Sequence, residues 1–248
     1  MKAVILAAGY ATRLYPLTLD TPKCLLPVGG KTILDFLCEK LNRVEGLDEV
    51  VVVTNAKFFS RLEKWGKKAP LRVPVRVLND GTLSNETRLG AIGDLDFAIR
   101  ECGLDVDILM LASDNLFDTG LDGFVRFCQA KCDQVCVGLY DIKNPKLAAK
   151  KFGVLEVDGA GQVTGIEEKP EAPKSSFIGM GIYFFPKKTL GLTVEYLRSA
   201  EAKDAPGHYV RWLMGKTPIF GFLFSGLWYD IGDLKALEEA RKKYDKQT

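Results

Sequence analysis

The sequence predicts an α/β fold on a doubly wound sheet, and three observations carry that expectation. Short apolar runs alternate with segments of helical spacing through the first half of the 248 residues, a pattern that gives parallel strands joined by right-handed crossovers. The apolar runs are continuous, as in strands covered on both faces. With 47% hydrophobic residues and a net charge of +2, the chain can fill a large core and offers no electrostatic reason for a nucleic-acid partner.

The elements follow in order. Val4-Ile5-Leu6 is the first strand, and the spacing of Ile33, Leu34, Phe36, Leu37 and Leu41 predicts a helix over 32–44. A strand at 49–54 and a helix around 58–65 come next, then a strand at 73–78, a helix at 88–100 and a strand at 107–112 that ends just before Ser113-Asp114-Asn115. Strands are predicted at 152–157, 163–168, 178–185 and 219–223, separated by turn signals such as Asp158-Gly159. Helices are predicted near 190–199, 209–214 and 234–244, the last with Asp233 as its N-cap. One continuous domain over 1–248, with sheet additions after position 140, is the simplest organisation. Ligands in such a sheet belong at the carboxyl ends of the strands.

No apolar run approaches the ~20 residues that cross a bilayer, and MKAVILAAG is too short a run for a secretory leader. The chain is therefore expected in the cytoplasm, without a membrane partner. Six cysteines form no CxxC pair. Cys128, Cys132 and Cys136, spaced by four, have no other ligand type among them and read as buried thiols in a reducing compartment.

The stretch from Leu6 to Pro27, LAAGYATRLYPLTLDTPKCLLP, is the most informative. A buried strand runs into small residues whose backbone N–H groups can approach a triphosphate. Arg13 adds a planar fork for phosphate oxygens and Lys23 a point charge. Neither a GxxxxGK[ST] nor a GxGxxG pattern is present.

These residues resemble the sugar-phosphate nucleotidyltransferases, most closely the glucose-1-phosphate thymidylyl- and uridylyltransferases. The family signature TRLxPLTxxxPKxLLPV is matched by Thr12-Arg13-Leu14-Tyr15-Pro16-Leu17-Thr18 and Pro22-Lys23-Cys24-Leu25-Leu26-Pro27-Val28. Ala11 stands where the family often has glycine. Ser113-Asp114-Asn115 occupies the place of a metal-binding Gly-Asp-Asn, and Phe152-Gly153-Val154 that of a sugar-facing turn. Glu167-Glu168-Lys169-Pro170, Gly179-Met180-Gly181-Ile182-Tyr183 and Trp228-Tyr229-Asp230-Ile231-Gly232-Asp233 match three further motifs, with Asp233 replacing a threonine.

The resemblance spans residues 1 to about 240 and implies a Rossmann-like, doubly wound mixed sheet with added C-terminal strands and helices. Residues 1–140 would mainly bind nucleotide and 141–248 mainly sugar. It implies Mg²⁺ held by Asp114 and Asp230, as hard oxygen ligands suit. Leu6, Ala8, Gly9, Thr12, Arg13 and Lys23 would contact the nucleotide; Asn115, Gly153, Glu168, Lys169 and Gly181 would take the sugar phosphate. Arg13, Lys23, Asp114 and Lys169 would act in catalysis. The substrates would be a nucleoside triphosphate, UTP or dTTP foremost, and a sugar 1-phosphate, in a monomer or small homo-oligomer.

The pattern fails at the base. A glutamine-bearing loop is replaced by Leu78-Asn79-Asp80-Gly81-Thr82, where Asn79 can offer a donor and an acceptor. Gly90 can let a backbone N–H reach a base carbonyl, while Ser84 reads as an N-cap with Thr87 in the capping-box place. The segment 204–212, with the single histidine His208 and with Arg211, matches no family motif; a turn or partner contact suits His208. A cytidylyltransferase acting on a polyol, choline phosphate or phosphonate is one alternative. A non-catalytic nucleotide-binding module is another, which the joint presence of Arg13, Lys23, Asp114, Glu168, Lys169 and Asp230 opposes.

Overall fold

A computed structural model describes residues 1–199 and 205–244. Strands β1 (Lys2–Leu6), β2 (Pro27–Val28) and β3 (Lys31–Thr32) lead to helix α1 (Ile33–Leu41). Then come β4 (Glu49–Thr54), α2 (Phe59–Gly66), β5 (Val75–Asn79), α3 (Ala91–Cys102), β6 (Ile108–Ala112) and β7 (Asn115–Phe117). Helix α4 (Asp122–Ala130) precedes β8 (Val135–Asp141), β9 (Gly153–Val157), β10 (Val163–Glu168) and β11 (Phe177–Phe185). Helices α5 (Leu192–Ser199) and α6 (Pro206–Leu213), strands β12 (Ile219–Phe224) and β13 (Trp228–Asp230), and α7 (Leu234–Tyr244) complete the order.

The chain divides into two compact units, neither contiguous in sequence: Met1–Arg88 with Leu111–Asp122 and Gly226–Thr248, and Leu89–Met110 with Gly123–Ser225. In the first, β1, β4 and β5 pair in parallel, Val4 beside Val51 and Val52 beside Val77. Every residue of β4 is buried, which is why its valine run shows no alternation. In the second, β9 pairs antiparallel with β10 and β11, and β8 runs antiparallel to β11 but parallel to β12. Pairing of both senses makes this the mixed α/β sheet that the motifs imply.

Local chemistry sets the element ends. Thr32 and Asp35 form a reciprocal capping box at the start of α1. That helix stops at Leu41, short of the expected residue 44, because the Asn42 side chain donates to the Pro70 carbonyl at 2.6 Å and accepts from the Arg72 N–H at 2.9 Å. Helix α3 starts at Ala91, three residues later than expected, because Gly90 turns the chain with φ 79° and ψ 165°. Ser84 is not an N-cap: its N–H and carbonyl bond to the Thr87 hydroxyl in a turn before the helix.

Helix α4, strand β8 and the β7–β13 ribbon have no counterpart among the sequence expectations. The cysteine-spaced stretch turns out to hold an amphipathic helix that buries Phe124, Val125 and Cys128, then a strand with Val135, Val137 and Leu139 inside. The ribbon strands are three residues each, too short for a periodic signal.

Candidate active site

Strand β1 hands the chain into the small-residue loop, and neighbouring side chains fix that loop's carbonyls. The Ala7 N–H donates to the Val53 carbonyl at 2.8 Å, continuing the parallel ladder past Leu6. Asn55, fully buried, donates from Nδ2 to the Ala8 carbonyl at 2.8 Å. Thr18 donates to the Ala11 carbonyl at 2.8 Å. Sequence reasoning missed Asn55; its signal was an amide directly after a buried strand. Gly9 faces open space, with nothing within 4 Å of where a Cβ would stand, so its backbone is approachable. Ala11 is left-handed, φ 48° and ψ 43°, a conformation that costs a non-glycine residue about 1–2 kcal/mol.

Below the loop, Leu14 anchors it in a cluster with Leu26, Val28, Ile33, Leu116, Ile231, Leu237 and Ala240. The anchor leaves the neighbours Thr12 and Arg13 exposed. Lys23 opens a 3₁₀ turn after extended Pro22, and its Nζ meets Asp114 Oδ2 at 2.5 Å.

Asp114 follows β6, where the Ser113 N–H donates to the Leu6 carbonyl at 3.3 Å and so sets the carboxylate beside the loop. Its other oxygen, Oδ1, accepts from Asn115 Nδ2 at 3.1 Å, and Asn115 Oδ1 accepts from Trp228 Nε1 at 2.8 Å. Asn115 is buried, and its amide connects Trp228 to Asp114. In the β7–β13 ribbon Asp230 pairs with Asn115, and the Ile231 N–H donates to the Asp114 carbonyl at 3.0 Å.

Two carboxylates thus come together with two cations. Burial, and then the charge of Asp114, push Asp230 up to about 6, while Lys23 and Arg13 pull the other way. The arrangement fits a divalent cation: a partly desolvated carboxylate pair repels itself, and a hard cation on both oxygens reverses that repulsion. Among the described residues no group of three or more His, Cys, Asp or Glu side chains gathers to hold a metal; two carboxylates with phosphate oxygens completing the shell is the habit of Mg²⁺. A pocket of about 120 Å³ is lined by residues that include Leu6, Gly9, Ala11, Lys23, Ser113 and Asp114.

Asn79 is exposed at the end of β5 and accepts the Gly81 N–H at 2.9 Å. This Asx turn engages the Oδ1 acceptor. Gly90 caps α3 without a side chain, leaving first-turn N–H groups available to an acceptor.

Of the residues expected at the sugar, Gly153, Glu168, Lys169 and Gly181 lie in the second unit, whereas Asn115 lies in the first, buried, with its amide engaged by Asp114 and Trp228. Glu168 ends β10 opposite Gly153 of β9. Lys169 is exposed and left-handed at φ 48°, with its N–H donating to the Phe152 carbonyl at 3.1 Å. Gly181 has φ 70° where the β11 register shifts, an irregularity that only glycine takes without strain. Of the unmatched segment 204–212, Asp204 lies outside the described residues. Ala205 is the extended N-cap and Pro206 to Trp212 lie in α6, whose Tyr209 is fully buried and whose His208 is half-buried.

The profile of the nucleotidyl transferase family matches residues 2–247. The chain belongs to that family. It is similar to the bifunctional protein GlmU of Methanocaldococcus jannaschii, 28% identical over 98% of this chain and 54% of that protein. It is also similar to a glucose-1-phosphate adenylyltransferase of Mycoplasma mobile, 29% identical over 97% of this chain and 66% of the other. The chain spans about half the length of the first of these. Among solved structures, UDP-glucose pyrophosphorylase in complex with UDP-glucose superposes with a TM-score of 0.84 over 100% of this chain and 99% of that one, at 19% identity. That likeness establishes the shared fold.

Proposed function

We propose that the protein transfers a nucleoside monophosphate from a nucleoside triphosphate to a sugar 1-phosphate, releasing pyrophosphate. The observation that carries this reading is the convergence of Lys23, Asp114 and Asp230 beside the small-residue loop. The acceptor's phosphate oxygen is already a nucleophile, so no general base is needed. The task is electrostatic: to let two anions meet and to stabilise the charge that builds on the leaving pyrophosphate. Mg²⁺ on Asp114 and Asp230 would supply charge neutralisation at the phosphates.

The chain's own groups do the remaining work. Backbone N–H groups around Gly9 cradle phosphate oxygens, and Arg13 clamps the outer phosphates with its planar fork. Lys23 leaves Asp114 for the triphosphate once other positive charge occupies that carboxylate. Trp228, through Asn115, holds the Asp114 carboxylate in orientation. In the second unit, Glu168 accepts sugar hydroxyls and Lys169 carries the acceptor phosphate.

For the base we favour UTP or dTTP. With its oxygen tied to Gly81, Asn79 presents N–H donors, which suit a pyrimidine carbonyl. We also place the protein in the cytoplasm: among the described residues the cysteines are free thiols, and no helix is long and apolar enough to cross a membrane.

The test is pyrophosphate release with Mg²⁺, crossing five nucleoside triphosphates with glucose 1-phosphate, other sugar phosphates, polyol phosphates and choline phosphate. A pyrimidine triphosphate paired with a sugar 1-phosphate is expected. Turnover only with CTP and a non-sugar acceptor would replace the reading with a cytidylyltransferase; nucleotide binding without pyrophosphate release in any pair would leave a binding module.

A further inference from the structure

The segment that matched no motif holds an unexpected contact. Gly207 is the second residue of α6, is buried, and faces Glu168 so closely that a Cβ there would overlap Oε2. A Cβ on Gly153, opposite Glu168 in the sheet, would stand 2.9 Å from the same oxygen. Neither glycine is left-handed, so neither position needs glycine for its backbone. What both supply is the missing side chain. Ile166 of β10 also reaches Gly207, 3.6 Å from the same Cβ position, so the helix start lies on the strand that carries Glu168.

We propose that Gly207 is a positioning residue for Glu168: the α6 N-terminal turn and Gly153 form two bare backbone walls that fix the carboxylate in the orientation that accepts sugar hydroxyls. The proposal rests on the transferase reading above and gives the Ala205–Trp212 segment a part in acceptor selection. A methyl group at position 207 displaces the carboxylate without touching the phosphate loop or the Asp114–Asp230 pair. Acceptor recognition is then lost while nucleotide recognition stays.

The experiment compares wild type, Gly207→Ala, Glu168→Asp and the double variant, measuring KM for sugar 1-phosphate, KM for the triphosphate, kcat and melting temperature. In Gly207→Ala, KM for the sugar phosphate should rise about 10- to 100-fold, the scale of a displaced positioning group, with the triphosphate KM unchanged. Added to Gly207→Ala, Glu168→Asp should recover part of that loss, since its shorter carboxylate clears the methyl group; in the wild-type background the same change should only weaken acceptor use. An unchanged sugar-phosphate KM in a folded Gly207→Ala protein overturns the proposal, as does an equal loss for both substrates. Should Gly207→Ala not fold, the double variant decides: recovery of folding and sugar use supports the contact, and failure to recover overturns it. A silent wild type overturns the transferase reading itself, which separates the two failures.

Discussion

At the residue scale, the site trades stability for charge placement. Asp230 is raised to about 6 from its ordinary 3.8, so the folded protein holds this proton more tightly than the unfolded chain does. A carboxylate raised in the folded state contributes stability that is complete below the unfolded value near 3.8 and is lost as pH rises through about 6. Without divalent cation the protein should therefore melt higher at pH 5 than at pH 7.5 on account of this group. Asp230→Asn should stabilise the metal-free protein by about 1–2 kcal/mol at pH 7.5 and flatten that pH dependence, while reducing turnover at least ~100-fold. Thermal melts at the two pH values, with and without magnesium, check the sign; a destabilised Asp230→Asn protein would contradict it. Ala11 is the opposite kind of residue. Its left-handed backbone makes Ala11→Gly neutral or stabilising, by up to about 1 kcal/mol, where the same exchange in ordinary backbone costs about that much. Denaturant titration of that variant measures the difference.

At the scale of elements, the short β7–β13 ribbon is the unit that brings the Asp114 and Asp230 carboxylates together. It carries Asn115 and Asp230, follows Asp114 directly, and is tied by the Trp228–Asn115–Asp114 hydrogen bonds. Trp228→Phe removes one donor and keeps most of the ring packing. It should cost about 1 kcal/mol of stability, and it should weaken magnesium activation more than triphosphate KM; equal effects on both would show that the relay does not orient Asp114. Helix α7 acts on the loop from beneath, placing Leu237 and Ala240 against Leu14 and Leu26. Leu237→Ala should lose about 2–5 kcal/mol and lower the melting temperature, with activity falling in step as the loop loses its floor.

At the scale of the whole molecule, legibility followed signal length. The long continuous strand β4 and the cap at Asp233 could be read because each rests on contiguous residues with one physical reason. The Leu6–Lys23 loop was singled out by charge and backbone access, which are properties of local sequence, and Asp114 by the motif resemblance; the structure brings Asp114 beside that loop. The ribbon was not, since three-residue strands have no period. Nor was the supporting work of Asn55, Asn115 and Trp228, which depends on residues far apart in the chain: 47 positions separate Asn55 from Ala8 and 113 separate Trp228 from Asn115. Gly207 stayed hidden because Pro206-Gly207 reads as a turn, while the reason for the glycine lies on another element. The capping assignment of Ser84 failed because its hydroxyl partner, Thr87, completes a local turn that competes with the helix.

In the proposed reaction the bond between the α- and β-phosphates of a nucleoside triphosphate breaks while a sugar phosphate takes the nucleoside monophosphate. The most direct measurement supplies α-labelled and, separately, γ-labelled triphosphate with a sugar 1-phosphate and Mg²⁺, and follows where each label goes. The α-label should appear in the nucleotide sugar and the γ-label in pyrophosphate, both abolished by Asp114→Asn in a folded protein. Gamma-label in inorganic phosphate with α-label in nucleoside diphosphate, or labels unmoved by Asp114→Asn, would contradict it.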